Sequence, residues 1–272
     1  MNQLPLARRV TLLRMLIDGA SIRTVSRLTK VSINTVAKLL HDLGFACAEQ
    51  HHCLVRNLRP HRLKCTEIRS FVDAKTNKLR SEGSKDIWTW VALAAKSELC
   101  VSYLVGGRDG SWAREFMSDC ARRVVWPLQI ARDGHDAYME AVDASVGGDV
   151  DYAQLQSNYE VIEQNESYYP PTNTMGLSGG LDQEQSARSF VERWNLAPRT
   201  GVRRFTRITD THSKTVERHA AIMAIHLTYY NLARIHESLG ITPAMAAGLA
   251  EHVWNLEEIV LLANREVFKA DD

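Results

Sequence analysis

The sequence predicts an α/β protein with a helix-turn-helix at its N-terminus, a mixed sheet flanked by helices, and a helical C-terminus. Three observations predict it. Apolar residues recur at helical spacing up to about residue 45, short apolar runs typical of strands follow between residues 65 and 133, and helical spacing returns from Ala187. Strands followed by helices indicate one mixed core with helical ends.

The composition is that of a globular protein. The 272 residues are 45% apolar and 24% charged, which argues against wholesale disorder. No apolar run approaches the ~18 residues of a membrane span, and no signal peptide is evident, so we expect a cytoplasmic protein with no membrane partner. The five cysteines form no C-x-x-C pair, which favours reduced, buried thiols over a zinc site or disulfides.

The charge is unevenly distributed. Residues 1–65 contain eleven Lys and Arg against three Asp and Glu, whereas the whole chain has a net charge of only +1. A basic N-terminal region predicts a polyanionic partner such as DNA.

The N-terminal region shows three helical segments. The first covers Leu6 to Ile17, Ser21 can cap a second over Ile22 to Leu28, and Ser32 can cap a third. We interpret residues 1–45 as a helix-turn-helix domain followed by a basic linker, 46–64. The residues expected to contact DNA are Arg23, Arg27, Ser32, Asn34, Thr35 and Lys38. A three-helix bundle for protein contacts is the alternative.

Strand signals follow the linker. Apolar runs at 65–73, 87–93 and 99–105 predict an antiparallel meander, and a fourth strand should run from Pro127 to Asp133 after a helix over 112–125. A further helix is expected over 136–146. Glycine and proline make 147–186 an insertion within a domain spanning 65–240.

The C-terminal part is predicted to be helical. Helical spacing from Ala187 indicates a helix carrying Glu192, and a longer one should cover Ser213 to Ile235. A short helix is expected after Thr242, and another over 256–266, within a C-terminal helical region, 241–272.

Two acids stand where a metal-dependent nuclease would need them. Asp133 ends the predicted fourth strand, and Glu192 lies on a basic helix. Phosphodiester chemistry uses two divalent ions ~3.5–4 Å apart, and such hard cations bind carboxylates. A first acid should lie in the strand that begins at Cys65, where the sequence has Thr66 followed by Glu67.

The chain resembles the single-frame transposases of the insertion-sequence-one family, in the DDE, RNase H-like superfamily, over nearly its full length. The resemblance is carried by the order and spacing of several motifs. These are Leu4–Ala7 through Ser32–Val36, Trp88–Ala92, Leu104–Asp109, Asp133–His135, Val191–Arg193 with Asn195, Arg203–Arg207, and Tyr229–Asn231 through Thr242–Met245.

The resemblance implies a DNA transposase with an RNase H-like domain. Asp133 and Glu192 would be the second and third catalytic acids and the ligands of two Mg²⁺ or Mn²⁺ ions. The family's first acid is an aspartate, and Thr66 replaces it here. Glu67 is a further candidate, although alternate strand residues face opposite sides of a sheet.

The partners implied are double-stranded DNA, as element ends and target, and further copies of the chain in a homo-oligomer. A nucleoid-associated protein of a bacterial or archaeal cytoplasm is expected. Polar and basic residues near Glu192 should contact the DNA backbone: Arg193, Asn195, Arg203, Arg204 and Arg207. The alternative is that the arginine cluster is an ordinary solvent-exposed surface. The alternative function is a catalytically silent DNA-binding protein that represses or competes with active relatives.

Overall fold

The computed structural model describes residues 4–70, 87–125, 129–133, 151–156, 173–176 and 216–264, together with residue 141. The predicted α/β class is confirmed, because helices and a mixed sheet are combined in one fold. Among these residues no helix is long and apolar enough to cross a membrane.

Three helices form the N-terminal part: α1 (Leu6–Ile17), α2 (Ile22–Thr29) and α3 (Ile33–Leu54). Two serines cap them as the sequence predicts. The Ser21 hydroxyl accepts a hydrogen bond from the Thr24 amide at 3.0 Å, and the Ser32 hydroxyl accepts one from the Thr35 amide at 3.1 Å. Each cap satisfies an amide that the first turn of a helix leaves unpaired.

The third helix is longer than predicted. It continues to Leu54, through about half of the segment 46–64, which we interpreted from the sequence as a linker. Its second half is helical because Leu43, Cys47 and His51 are buried at four-residue spacing. Gly44 lets helix α5 (Val216–Leu232) approach closely, since a Cβ at this glycine would lie 2.5 Å from the Cβ of Ala221.

The described strands form one six-stranded sheet in the order β3-β2-β1-β4-β5-β6. Strands β1 (Arg62–Ser70), β2 (Ile87–Ala94) and β3 (Cys100–Gly106) form the predicted antiparallel meander. Strand β4 (Gln129–Asp133) pairs with β1 in parallel and ends at Asp133, as predicted.

Two further strands, which the sequence analysis did not predict, lie within the segment 147–186. Strand β5 (Asp151–Gln156) pairs in parallel with β4, and β6 (Asn173–Gly176) pairs antiparallel with β5. They are only six and four residues long, so the glycine and proline around them dominated the local composition. Pairing with β5 satisfies backbone groups of β4 that would otherwise form a sheet edge.

The remaining helices are α4 (Gly110–Arg123), α5, α6 (Pro243–Ala246) and α7 (Leu256–Leu262). The predicted helices over 136–146 and around Glu192 lie outside the described residues. One face of the sheet packs on α4, with Trp90 against Phe116. The other face packs on α5 through Met223 and Leu227.

The N-terminal helices do not have a core of their own. Buried side chains of α1 to α3, such as Leu12 and Leu40, share one cluster with Ile225 of α5 and Ile259 of α7. The Arg9 guanidinium also donates a hydrogen bond to the Asn264 side chain at 2.7 Å. The predicted boundaries at residues 45 and 240 therefore cut through a continuous core, because both ends of the chain contribute to it.

Candidate functional site

Thr66, in the middle of β1, and Asp133, the last residue of β4, occupy neighbouring positions on two parallel strands. Cys65 of β1 lies opposite Arg132 of β4, so the next residue of β1, Thr66, is level with Asp133. Neighbouring strands are ~4.8 Å apart, which makes these two backbone positions adjacent. The structure thus brings together the expected first position and the second predicted acid.

Thr66 is fully enclosed. Its residue is 1% exposed, and its hydroxyl has no hydrogen-bond partner among the residues that the structure describes. It shares a sheet face with Ile68, which packs against Met223 and Leu227 of α5. A buried hydroxyl without a partner costs free energy, on the order of 1–3 kcal/mol. A buried polar atom without a partner is uncommon in a native protein.

Glu67 lies on the opposite face of β1 and is held by Arg108. The Arg108 Nε donates to Glu67 Oε2 at 2.6 Å, and the Glu67 side chain is only 4% exposed. The Arg108 guanidinium carbon also lies 4.2 Å from the centre of the Trp88 ring, a cation–π contact. The geometry therefore directs the Glu67 carboxylate to an ion pair, away from the face that carries Thr66.

The loop that carries Arg108 is held by close packing. Gly106 and Gly107 lie against the Trp112 ring, where a Cβ would come within 2.2 and 2.7 Å of ring atoms. The Trp90 indole donates to the Gly107 carbonyl at 2.8 Å. Because side chains would not fit here, this glycine pair sets the path of the chain into Arg108.

His219 is a residue of this region that the sequence analysis did not select. It lies in α5, is 1% exposed, and its Nε2 is 3.2 Å from the Thr89 hydroxyl. Thr89 is two residues from Val91, the cross-strand partner of Thr66, so both threonines face α5. The contact spans 130 residues of sequence, and no local spacing could have indicated it.

The described residues do not fit a pair of divalent cations. They contain no group of three or more His, Cys, Asp or Glu side chains placed to hold a metal ion. Position 66 offers a neutral hydroxyl where two hard cations would need a carboxylate. Glu192, the other expected ligand, lies outside the described residues, and we derive no metal-dependent step for the natural chain.

The N-terminal residues expected to contact DNA are largely exposed. Arg23, Arg27, Asn34 and Lys38 lie at the surface, and Lys38 forms an ion pair with Asp42 one turn later. Ser32 and Thr35 are joined hydroxyl to hydroxyl at 2.8 Å within the cap of α3. The remaining candidates lie outside the described residues: Arg193, Asn195, Arg203, Arg204 and Arg207.

No protein-family model and no curated protein matches this chain.

Proposed function

We propose that the chain is a DNA-binding protein of the DDE transposase type whose ability to cleave DNA strands is impaired by Thr66. The observation that carries the proposal is the alignment of Thr66 with Asp133 on adjacent parallel strands. These are the positions at which an RNase H-like nuclease would carry its first two acids, and only one of them is acidic here.

The sheet supports an RNase H-like assignment. Three antiparallel strands are followed by two strands parallel to β1, on the side of β1 away from β2. In this order the first and fourth strands are neighbours in the middle of the sheet. Ligands of open α/β sheets bind beyond the carboxyl ends of such strands. Asp133 lies at the carboxyl end of β4, and Thr66 lies level with it in the middle of β1.

The N-terminal helices support DNA binding. Helices α2 and α3 are joined by a short turn at Lys30, which has a left-handed φ of 57°. The first turn of α3 presents the polar residues Ser32 and Asn34 at the surface, while Val36 and Leu39 are buried. A polar first turn on the second helix of such a pair suits a helix-turn-helix whose second helix reads base edges in the major groove.

The substitution at position 66 explains why cleavage should be impaired. A carboxylate there would stand level with Asp133 and add a negative charge on the face of the sheet that packs on α5. The threonine hydroxyl supplies no charge, and Glu67 is engaged with Arg108 on the other face. Losing one of three carboxylates weakens the binding of cations and leaves the transition-state oxygens less stabilised.

A second candidate is a silent DNA-binding protein that represses or competes with active relatives. Two observations favour it: the buried, uncharged Thr66 and the commitment of Glu67 to Arg108. The two candidates differ in whether an acid at position 66 is enough to restore cleavage.

The test compares the natural protein with Thr66→Asp and the matched control Thr66→Asn, which has the same shape as aspartate without its charge. Nicking of supercoiled plasmid DNA is measured in Mg²⁺ and in Mn²⁺. We expect nicking by Thr66→Asp only. Equal nicking by the natural protein would show that another acid completes the site, and inactivity of all three would favour the silent binder.

A further inference from the structure

The surface at the amino end of β1 is strongly basic. From Gln50 to Thr66 the sequence has three arginines, one lysine and three histidines, and no acidic residue. Arg56, Arg59 and His61 are exposed in the connection between α3 and β1, and Lys96 is exposed in the turn between β2 and β3. The chain therefore presents several cations where α3 meets the sheet.

Backbone hydrogen bonds bring these cations to one end of the sheet. The Leu58 amide donates to the Arg123 carbonyl at 3.0 Å, and the Val125 amide donates to the Leu58 carbonyl at 2.7 Å. The Ala95 amide donates to the Arg62 carbonyl at 3.0 Å, which holds the β2–β3 turn beside the start of β1. We call this surface the basic end, formed by exposed side chains of Arg56, Arg59, Lys96 and Arg122.

The acids described at the basic end are partly directed inward. Asp119 accepts hydrogen bonds from Arg123 Nε at 2.6 Å and from the Ser102 hydroxyl at 2.5 Å, and its Oδ1 also pairs with Arg122 Nη2 at 3.5 Å. Glu98 is buried and contacts His236. Glu237, next to His236, is exposed, and Asp151 begins β5 at the same end of the sheet as the start of β1. The positive charge of the basic end is thus only partly offset.

Only two of the four cations of the basic end lie near a helix C-terminus, where they stabilise the helix. Arg56 follows the C-terminus of α3, and Arg122 lies in the last turn of α4, where a cation stabilises a helix by ~0.3–1 kcal/mol. Arg59 and Lys96 are at no helix end.

We propose that the basic end is a second DNA-binding surface, which contacts the phosphate backbone of a duplex. The inference rests on the proposed DNA binding but uses residues outside both the helix-turn-helix and the acidic site. Lys38 is separated from Leu54, the last residue of α3, by ~24 Å at ~1.5 Å per residue, and Arg56 follows two residues later. This distance matches about seven base pairs at ~3.4 Å each, so one duplex is long enough to reach both surfaces.

The test uses the full chain and a random-sequence duplex of ~30 base pairs, about three helical turns. One variant removes charge, Arg56→Gln/Arg59→Gln/Lys96→Gln. The matched control conserves it, Arg56→Lys/Arg59→Lys/Lys96→Arg. Affinity is measured by fluorescence anisotropy at several salt concentrations. Each lost phosphate contact lowers the slope of log affinity against log salt by ~0.9, so we expect a loss of ~2–3 in the glutamine variant and no change in the control.

A third variant, Arg23→Gln/Arg27→Gln/Lys38→Gln, separates this inference from the proposed function. If it lowers the slope while the basic-end glutamine variant does not, the helix-turn-helix binds DNA and the second surface is refuted. If the natural protein shows no salt-dependent duplex binding, the proposed DNA binding fails as well. Urea unfolding of every variant confirms that changes in slope do not reflect loss of the fold.

Discussion

Replacing Arg108 by methionine should destabilise the protein more than any ordinary surface change. The substitution keeps much of the side-chain volume over Trp88 but leaves the Glu67 carboxylate, 4% exposed, without its cation. Glu67 Oε1 already lacks a partner among the described residues, so the whole carboxylate would be buried and unpaired.

The expected loss of stability depends on how deeply Arg108 and Glu67 are each buried. Breaking a fully buried ion pair costs ~3–5 kcal/mol, whereas an exposed pair contributes ~0–1 kcal/mol. Arg108 is 45% exposed, so solvent screens part of the loss and we expect about 2–3 kcal/mol. At roughly 2–4 °C per kcal/mol for a chain of this size, Tm should fall by about 4–12 °C.

Urea unfolding and thermal unfolding measure the effect. The matched control is Arg114→Met, an exposed arginine on the same helix-loop region, which should change stability by less than ~0.5 kcal/mol. The double variant Glu67→Leu/Arg108→Met should recover most of the loss, because it removes the buried charge itself. A cost for Arg108→Met no greater than that for Arg114→Met would refute the reasoning.

Three further predictions concern the helical core. His51 and His226 are buried, and burial lowers the pKa of each from 6.5 to about 4. Between these pH values the unfolded chain therefore binds more protons than the folded chain. The free energy of unfolding should fall as pH drops from about 6.5 towards 4, by up to ~1.4 kcal/mol per pH unit for each histidine. Urea unfolding at pH 7 and pH 5 measures this fall, and His226→Leu should make the free energy of unfolding less dependent on pH. Gly44→Leu should lower the free energy of unfolding by at least ~1–3 kcal/mol, because the leucine side chain pushes α3 away from Ala221. An unchanged urea midpoint would contradict the close approach of α3 and α5. Deleting residues 255–272 should expose the apolar core of α1 to α3 and lower the free energy of unfolding by on the order of 5 kcal/mol. The loss should be detected as rapid proteolysis of the N-terminal helices. A truncated chain as resistant to protease as the natural one would show that the N-terminal helices do not need α7 for their core.

Local signals predicted the parts of the fold that local chemistry determines. Ser21 and Ser32 mark the starts of α2 and α3 because a serine hydroxyl satisfies amides within the next three residues. The alternation of side chains along β1 correctly separates Thr66 from Glu67 onto opposite faces. The end of β4 at Asp133 was predicted from an apolar run that stops there.

Long-range contacts determine what the sequence could not predict. The second half of α3 depends on burial against α5, which begins more than 160 residues after α3 ends. Gly44 in isolation indicates a helix end. The Thr89–His219 contact spans 130 residues, and Glu67 meets Arg108 across 41. Strands as short as β6 are stabilised by their sheet neighbours and carry little periodicity of their own.

The central claim is that position 66 is the missing acidic position beside Asp133. It is tested most directly by calorimetric titration of Mn²⁺ into the natural protein, Thr66→Asp and Thr66→Asn. The account predicts saturable binding by Thr66→Asp that is at least ten-fold tighter than by the other two, since the added carboxylate lies level with Asp133. Equal affinity for Thr66→Asp and Thr66→Asn would contradict the claim.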